Sequence, residues 1–250
     1  MLVMGILNVT PDSFADGGRH NDFKAAIARG LEMIAEGVDI IDIGGESTRP
    51  GADRVSEEEE IARTIPVIAE LAKHGTPISI DTMRASTAHA AVKAGASIIN
   101  DVSGGLADPQ MLQTAAELKV PYIAMHWRGQ SKDMNSKAIY ADVVSDVISE
   151  LNVRIEAALA AGIQKDKLII DPGLGFAKDA EHNWAIIDSI DRFVVMGYPV
   201  LVGGSRKRFL GGESPDEREQ ATIQLTKRLG TTGVWAVRVH SVKPHKEVLG

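Results

Sequence analysis

Apolar residues along this chain gather in eight short runs, rich in Val and Ile and spaced through its whole length. They are VMGILNV (3–9), VDIIDIGG (38–45), PISIDTM (77–83), SIINDVSG (97–104), PYIAMHW (121–127), KLIIDPG (167–173), PVLVGGS (199–205) and VWAVRVH (234–240). Such runs read as buried strands, and between them the period changes to that of helices. Phe23, Ala26, Ile27, Leu31 and Ile34 keep an i, i+3, i+4 spacing after the first run. After the second, Ser56 and Glu59 form a capping box ahead of Ile61, Ile65, Ile68 and Leu71, with Pro66 expected to kink that helix. Asp108-Pro109 reads as an N-cap followed by proline at the first helical position. The longest helix, over roughly 140–161, carries Val143, Val147, Leu151, Ile155 and Leu159 on one stripe.

Eight strands, each followed by a helix, in 250 residues predict a single-domain α/β protein, a (β/α)8 TIM barrel over 1–250. A doubly wound open sheet is the competing arrangement, but it rarely needs eight strands so evenly spaced. Polar residues interrupt the runs at one end. Asn8, Asp81, Asn100, His126, Asp171, Arg238 and His240 lie at or near the C-terminal ends, with Ser205 and Lys207 just beyond the seventh. If polar residues merely marked strand ends, turn formers would stand at both ends, whereas the N-terminal ends are bland. In a barrel the C-terminal ends share one mouth, where this fold keeps its active sites.

Composition narrows the possibilities. The chain is 44% hydrophobic and 24% charged, as soluble globular proteins are, and no run of eighteen apolar residues predicts a membrane span. The start, MLVMGILNVT, lacks the basic leader and apolar core of a signal peptide. With no cysteine there is no disulfide, thiolate metal site or cysteine nucleophile, and a cytoplasmic enzyme is expected. A net charge of −7 without a basic block argues against nucleic acid as a partner. An anionic ligand must then be met by a few local cations.

Two carboxylates and an amide, Asp81, Asp171 and Asn100, suit a flat heterocycle with an amidine-like edge, such as a pterin or purine. A divalent metal is the rival for paired carboxylates, but no Asp/Glu-rich cluster or His-Glu spacing supports an all-protein cage. Arg238 and His240, two residues apart on a strand, share a face and form a cationic fork suited to phosphate or pyrophosphate. Ser205-Arg206-Lys207 adds charge, although Arg206 and Arg208 read equally well as surface residues. Gly173-Leu174-Gly175 matches the first half of a dinucleotide fingerprint, but Lys178 stands where the third small residue belongs. Two glycine-rich loops, TPDSFADGG (10–18) and GGESTRPGA (44–52), are long enough to serve as lids over the mouth. The sequon at Asn8 falls in a strand end and is not read as a glycosylation site.

The motifs MGILNVTPDSFADGG, DIGGESTRPGA, SIDTMRA, IINDVSGG, MHWRG, DPGLGFAK, LVGGSRKRFLG and VRVHSV, in this order over nearly the whole chain, resemble the dihydropteroate synthases, in the form found in actinobacteria. The resemblance implies condensation of 6-hydroxymethyl-7,8-dihydropterin pyrophosphate with p-aminobenzoate, giving dihydropteroate and pyrophosphate in folate synthesis, and inhibition by sulfonamides. It implies that Asp171 takes the parallel N–H donors of the pterin, Asn100 the adjacent edge, Asp81 the N8–H and Lys207 the side bearing N5 and the 4-oxo group. Met125 and Gly203 complete that pocket. Arg238, His240 and Asn8 are implied for the pyrophosphate, with Asn8 also contacting Mg²⁺. Phe176 and Lys207, with Thr48, Arg49 and Pro50 from the second loop, are implied for p-aminobenzoate, and Ser13, Phe14 and Asp16 belong to the first, mobile loop. Asp81, Lys207, Arg238 and His240 are the residues implied to carry catalysis. A homodimer is implied too.

The chain departs from the family's usual RVHDV at Ser241, which implies loss of a carboxylate behind the site, and it stops at Gly250, before the last helix would normally finish. Two other readings are a methyltetrahydrofolate-binding methyltransferase domain and a non-catalytic pterin-binding paralogue. The first lacks the Ser-Arg-Lys and Arg-x-His pairs found here, and the second is disfavoured by the intact Thr48-Arg49 and Lys207.

Overall fold

Each of the eight apolar runs contains a strand in the computed structural model, which describes residues 1–10, 19–46, 55–130 and 134–250. The strands are β1 (Leu2–Asn8), β2 (Ile40–Gly44), β3 (Ile78–Asp81), β4 (Ile98–Asp101), β5 (Tyr122–Met125), β6 (Leu168–Asp171), β7 (Leu201–Val202) and β8 (Ala236–Val239). All neighbours pair in parallel, in the order β6-β5-β4-β3-β2-β1-β8-β7. A parallel bridge between Ile170 and Val200 links the two ends, with Ile170 N donating to Pro199 O at 3.0 Å, so the sheet nearly closes on itself. The expected TIM barrel is the fold, with β6 and β7 joined through that bridge.

Nine helices lie between and after these strands among the described residues: α1 (Arg19–Ala35), α2 (Glu57–Leu71), α3 (Ala85–Ala94), α4 (Met111–Leu118), α5 (Val143–Ala160), α6 (Ala180–Asp188), α7 (Ile190–Val194), α8 (Glu217–Leu229) and α9 (Lys243–Leu249). At α2, Ser56 Oγ accepts from Glu59 N at 3.2 Å, half of the predicted box, and the helix runs on through Pro66 to Leu71. The start predicted for α4 is shifted. Asp108 Oδ1 accepts from Gln110 N at 2.9 Å and closes a turn, while its Oδ2 accepts from Ala85 N at 2.8 Å, the first residue of α3. The fourth helix therefore begins only at Met111. On α5 the stripe of Val143, Val147, Leu151 and Ile155 is buried as expected, but Ala158 completes it and Leu159 is 38% exposed. Leu31 of α1 likewise faces out, at 37%.

The strands are buried on both faces, which is why they read as continuous apolar runs. Outward residues such as Ile41, Ile43, Ile80, Ile99 and Ile170 pack beneath the helices in the larger core. Inward residues form a separate floor inside the barrel: Met4, Ile40, Ile98, Ile123, Ile169, Leu201 and Ala236. This floor fixes the level of everything above it.

Candidate active site

Side chains alternate along a strand with a period of two, so the residue two places after a floor residue points into the barrel one layer higher. Counting from the floor gives Ile40 to Asp42, Ile98 to Asn100, Ile123 to Met125, Ile169 to Asp171, Leu201 to Gly203 and Ala236 to Arg238. Asp81 joins that layer because it pairs with Asn100 in the β3–β4 register, as Met125 pairs with Asp171 across β5 and β6. A polar ring thus stands directly on an apolar floor. Buried carboxylates in such a setting need partners, and the ring supplies them, except at Asp42 Oδ1, which has no hydrogen-bond partner among the described residues.

On the β2–β3–β4–β8 side the partner is Arg238. Its Nε donates to Asp42 Oδ2 at 2.5 Å and its Nη2 to Asp81 Oδ2 at 2.6 Å. Asn100 Nδ2 donates to the same Asp42 oxygen at 3.2 Å. Burial pushes the Asp81 carboxyl above the usual carboxylate range, Arg238 pulls it back, and Asp42, Glu60 and Asp101 add to the rise. Burial also works against the charge of Arg238, but Asp42, Asp81 and Asp171 more than offset it and hold the guanidinium protonated. The fork read from the sequence is therefore divided. Arg238 is fixed by two carboxylates, while His240, just past the strand, has its Nδ1 2.9 Å from Ser205 Oγ and its backbone N donating to that oxygen at 3.2 Å.

On the β5–β6–β7 side the geometry is made by a turn. Asp171 Oδ1 accepts from Gly173 N at 2.7 Å; burial raises its pKa, and the Gly173 N–H, Lys207, Arg238 and Lys178 oppose that rise. Gly173 has φ +70°, and a Cβ there would lie 2.4 Å from His126 O. Gly175 has φ +75°, and its Cβ would lie 2.8 Å from Lys207 Cδ. Only glycine meets both demands at each position. The glycine pair expected to let backbone pass close to a substrate is required first by the protein's own β5 and Lys207. Lys207 Nζ donates to Leu174 O and lies 4.7 Å from the centre of the Phe176 ring. Burial lowers its pKa to about 8, with Asp171 resisting and Arg238 assisting. Met125, Met83 and Val102 are packed together, with Trp127 and Phe176 against them, and make an apolar wall beside the ring. At Gly203 a Cβ would lie 3.8 Å from Asp171 Oδ2 and 4.0 Å from Arg238 Cβ, so no side chain separates those two groups.

Behind this turn lies a buried chain of groups. Lys178 Nζ reaches His126 Nδ1 at 2.8 Å and the carbonyls of Gly173 and Phe176 at 3.0 Å each, three acceptors for three ammonium protons. His126 Nε2 lies 3.0 Å from Glu150 Oε2, and Arg128 holds the other face of that carboxylate. Burial first, then Lys178, lowers the His126 pKa to about 4, so the ring is neutral with Nε2–H donating. The residue that breaks the dinucleotide fingerprint, Lys178, is thus the peg that holds the turn.

The family profile described as pterin binding enzyme matches residues 4–240. The dihydropteroate synthase of Mycobacterium leprae is 47% identical over 99% of this chain and 90% of its own. The chain belongs to the dihydropteroate synthase family of pterin-binding enzymes. Among solved members, the Xanthomonas albilineans enzyme with 4-aminobenzoic acid is 44% identical, with a TM-score of 0.93 over 99% of this chain and 90% of that one. The Yersinia pestis enzyme, solved with a sulfonamide drug, is 40% identical, with a TM-score of 0.93 over 99% and 91%.

Of the residues the family resemblance implies, the structure gathers Asp81, Asn100, Met125, Asp171, Gly203, Lys207 and Arg238 around one mouth, with Phe176, His240 and Asn8 at its rim. Ser13, Phe14, Asp16, Thr48, Arg49 and Pro50 lie outside the described residues. Sequence reasoning missed Asp42 and Lys178. Asp42 had a signal, a carboxylate in the middle of the apolar run VDIIDIGG. Lys178 stood out only as the residue that breaks the fingerprint: its partners Gly173 and Phe176 are local, but His126, which ties it to the strand beside the turn, lies 52 positions away.

Proposed function

We propose that this mouth binds 6-hydroxymethyl-7,8-dihydropterin pyrophosphate and p-aminobenzoate and joins them into 7,8-dihydropteroate, releasing pyrophosphate in folate synthesis. The observation that carries the reading is the single layer holding Asp171, Asn100 and Asp81 above an apolar floor and beside the Met125 wall. A flat pterin needs apolar contact for its faces and acceptors for its N–H edge. Asp171 takes the parallel 2-amino and N3 donors, Asn100 reads the adjacent edge, Asp81 accepts from N8–H, and Lys207 holds the N5 and 4-oxo side. Gly203 leaves room between Asp171 and Arg238.

The arylamine nitrogen attacks the methylene carbon of the pterin as the C–O bond breaks, and the bonding pair leaves with pyrophosphate. The new arylammonium gives up a proton to water or to the departing pyrophosphate, which completes the balance. Negative charge gathers on the leaving group, so cations placed beforehand stabilise the transition state more than the ground state. Arg238 fills that role as a fixed cation, and His240 and Asn8 add hydrogen bonds to the leaving group. Positive charge developing at the methylene is shared with the ring, where Asp81 offsets it near N8. Phe176 and the stem of Lys207 flank p-aminobenzoate, the position for which sulfonamides compete; Thr48, Arg49 and Pro50 join that subsite on the family resemblance alone.

Among the described residues no group of three or more His, Asp or Glu side chains is placed to hold a metal. Mg²⁺ would be held by Asn8 and by pyrophosphate oxygens, hard oxygen donors of the kind it takes. When bound, the ion neutralises phosphate charge. The same reading extends to a cytoplasmic homodimer. No helix among the described residues is long and apolar enough to cross a membrane. Trp184 on α6 and Val195 at the end of α7 expose apolar surface, at 38% and 81%, suited to a second copy.

The test is pyrophosphate release from the purified chain given the dihydropterin pyrophosphate and Mg²⁺, with and without p-aminobenzoate. Release that depends on p-aminobenzoate and yields dihydropteroate supports the synthase. Tight pterin binding without turnover would overturn it in favour of a binding protein.

A further inference from the structure

The turn after β7 runs from Gly203 to Lys207 and carries Ser205 and Lys207 toward the mouth. Between them stands Arg206, with φ +57°, a left-handed backbone that a non-glycine residue keeps only when its surroundings enforce it. Those surroundings are α8 and the residue after His240. Arg206 N donates to Thr222 Oγ1 at 3.1 Å, and Arg218 Nη1 donates to Arg206 O at 3.4 Å. The guanidinium is held at both ends: Nε donates to Glu219 Oε2 at 2.6 Å and Nη2 to Ser241 Oγ at 2.9 Å. Asp216 lies 3.7 Å away but is 93% exposed, so water screens it. Glu219, 19% exposed, is the carboxylate that counts. Burial works to raise its pKa, yet the neighbouring His245, Arg206 and Ser241 bring it down to about 2, and it stays ionised. The hydrogen bond comes from Arg206, while His245 Nε2 lies 3.5 Å from Oε1.

We propose that Glu219 is a positioning residue for the condensation, fixing through Arg206 the turn that presents Lys207 and Ser205 to the substrates. The inference rests on the synthase reading above. Its lever is short: Arg206 is bonded directly to both residues, and a shift there displaces the Lys207 ammonium from Phe176 and Leu174 O and Ser205 Oγ from His240. Ser241 touches the same guanidinium, so a carboxylate at position 241 can take over the charge that Glu219 supplies. A role confined to stability would respond in Tm and leave kcat/KM unchanged.

The experiment compares steady-state kinetics and Tm for wild type, Glu219→Gln, Ser241→Asp and the double variant. Wild-type turnover tests the synthase reading by itself, so failure there is distinct from failure of this inference. Glu219→Gln is expected to lower kcat/KM for p-aminobenzoate about tenfold, as a displaced contact group does. Ser241→Asp alone should keep activity, and the double variant should recover to within about threefold of wild type, since the two sites share one partner. Unchanged kinetics in Glu219→Gln, a lower Tm with unchanged kinetics, or a loss that Ser241→Asp does not repair would each overturn the proposal. If Glu219→Gln does not fold, Arg206→Lys reads the same contact: loss of kcat/KM supports it and wild-type kinetics overturns it.

Discussion

The two sides of the mouth hold their carboxylates by different means. Around Asp81 the partners are strand residues, Arg238, Asp42 and Asn100, whose level is set by register above the barrel floor. Around Asp171 the partners are a glycine turn and two lysines that arrive from loops. The first arrangement is as rigid as the barrel. The second depends on a few contacts beneath the turn, above all those of Lys178 Nζ with His126 Nδ1 and with the carbonyls of Gly173 and Phe176. A site built on strands tolerates change by degrees, whereas one built on a strained turn fails at single positions.

The sharpest way to break that contrast is Gly173→Ala. A Cβ 2.4 Å from His126 O, at φ +70°, forces either the turn or β5 to move. The expected cost is about 3 kcal/mol of stability, combining backbone strain and overpacking, measured by denaturant unfolding. A loss under about 1 kcal/mol would show that the turn is not strained as described. Next come the two carboxylates. Asp171→Asn should weaken pterin binding about a hundredfold, because a charge-assisted pair of bonds is lost, as calorimetry would read. Asp81→Asn should instead lower kcat more than it weakens pterin affinity; equal losses would contradict the roles assigned.

A smaller effect is expected at Asp42→Asn. It leaves Asn100 an acceptor but removes one of the two charges holding Arg238, for a fall of about tenfold in kcat/KM. Wild-type kinetics there would mean that Asp81 alone orients the arginine. The mildest probe is pH. Lys207, lowered by burial to about 8, sheds its proton well below the ordinary lysine range, so kcat/KM should decline as pH rises through about 8. Asp81 is raised by burial, so the acid limb should lie above the usual carboxylate range, with activity falling as pH drops through it. Lys207→Arg should abolish the alkaline decline; its persistence would assign that limb elsewhere.

The same contrast explains what could be read in advance. The polar residues at the C-terminal ends of PISIDTM, SIINDVSG, KLIIDPG and VWAVRVH placed Asp81, Asn100, Asp171 and Arg238 at one mouth, since the apolar run that marks a strand is a local signal repeated eight times. The partners of the cationic fork were not legible, because Arg238 points to Asp42 and Asp81, residues far away in the chain. Arg206, read equally well as a surface residue, is instead pinned in a left-handed turn by α8 and Ser241. Gly173 and Gly175 signalled a turn but not its cause, which lies in His126 O and the Lys207 side chain.

What the sequence determined by itself was therefore the barrel, the end of it that carries chemistry, and the strand-borne members of the site, because hydrophobic periodicity acts over a few residues and needs no knowledge of the partner. What only the tertiary structure decided was which charge meets which, and how far each group is desolvated. Those depend on distances between residues up to 196 positions apart in the chain, as for Arg238 and Asp42, and no local pattern encodes them.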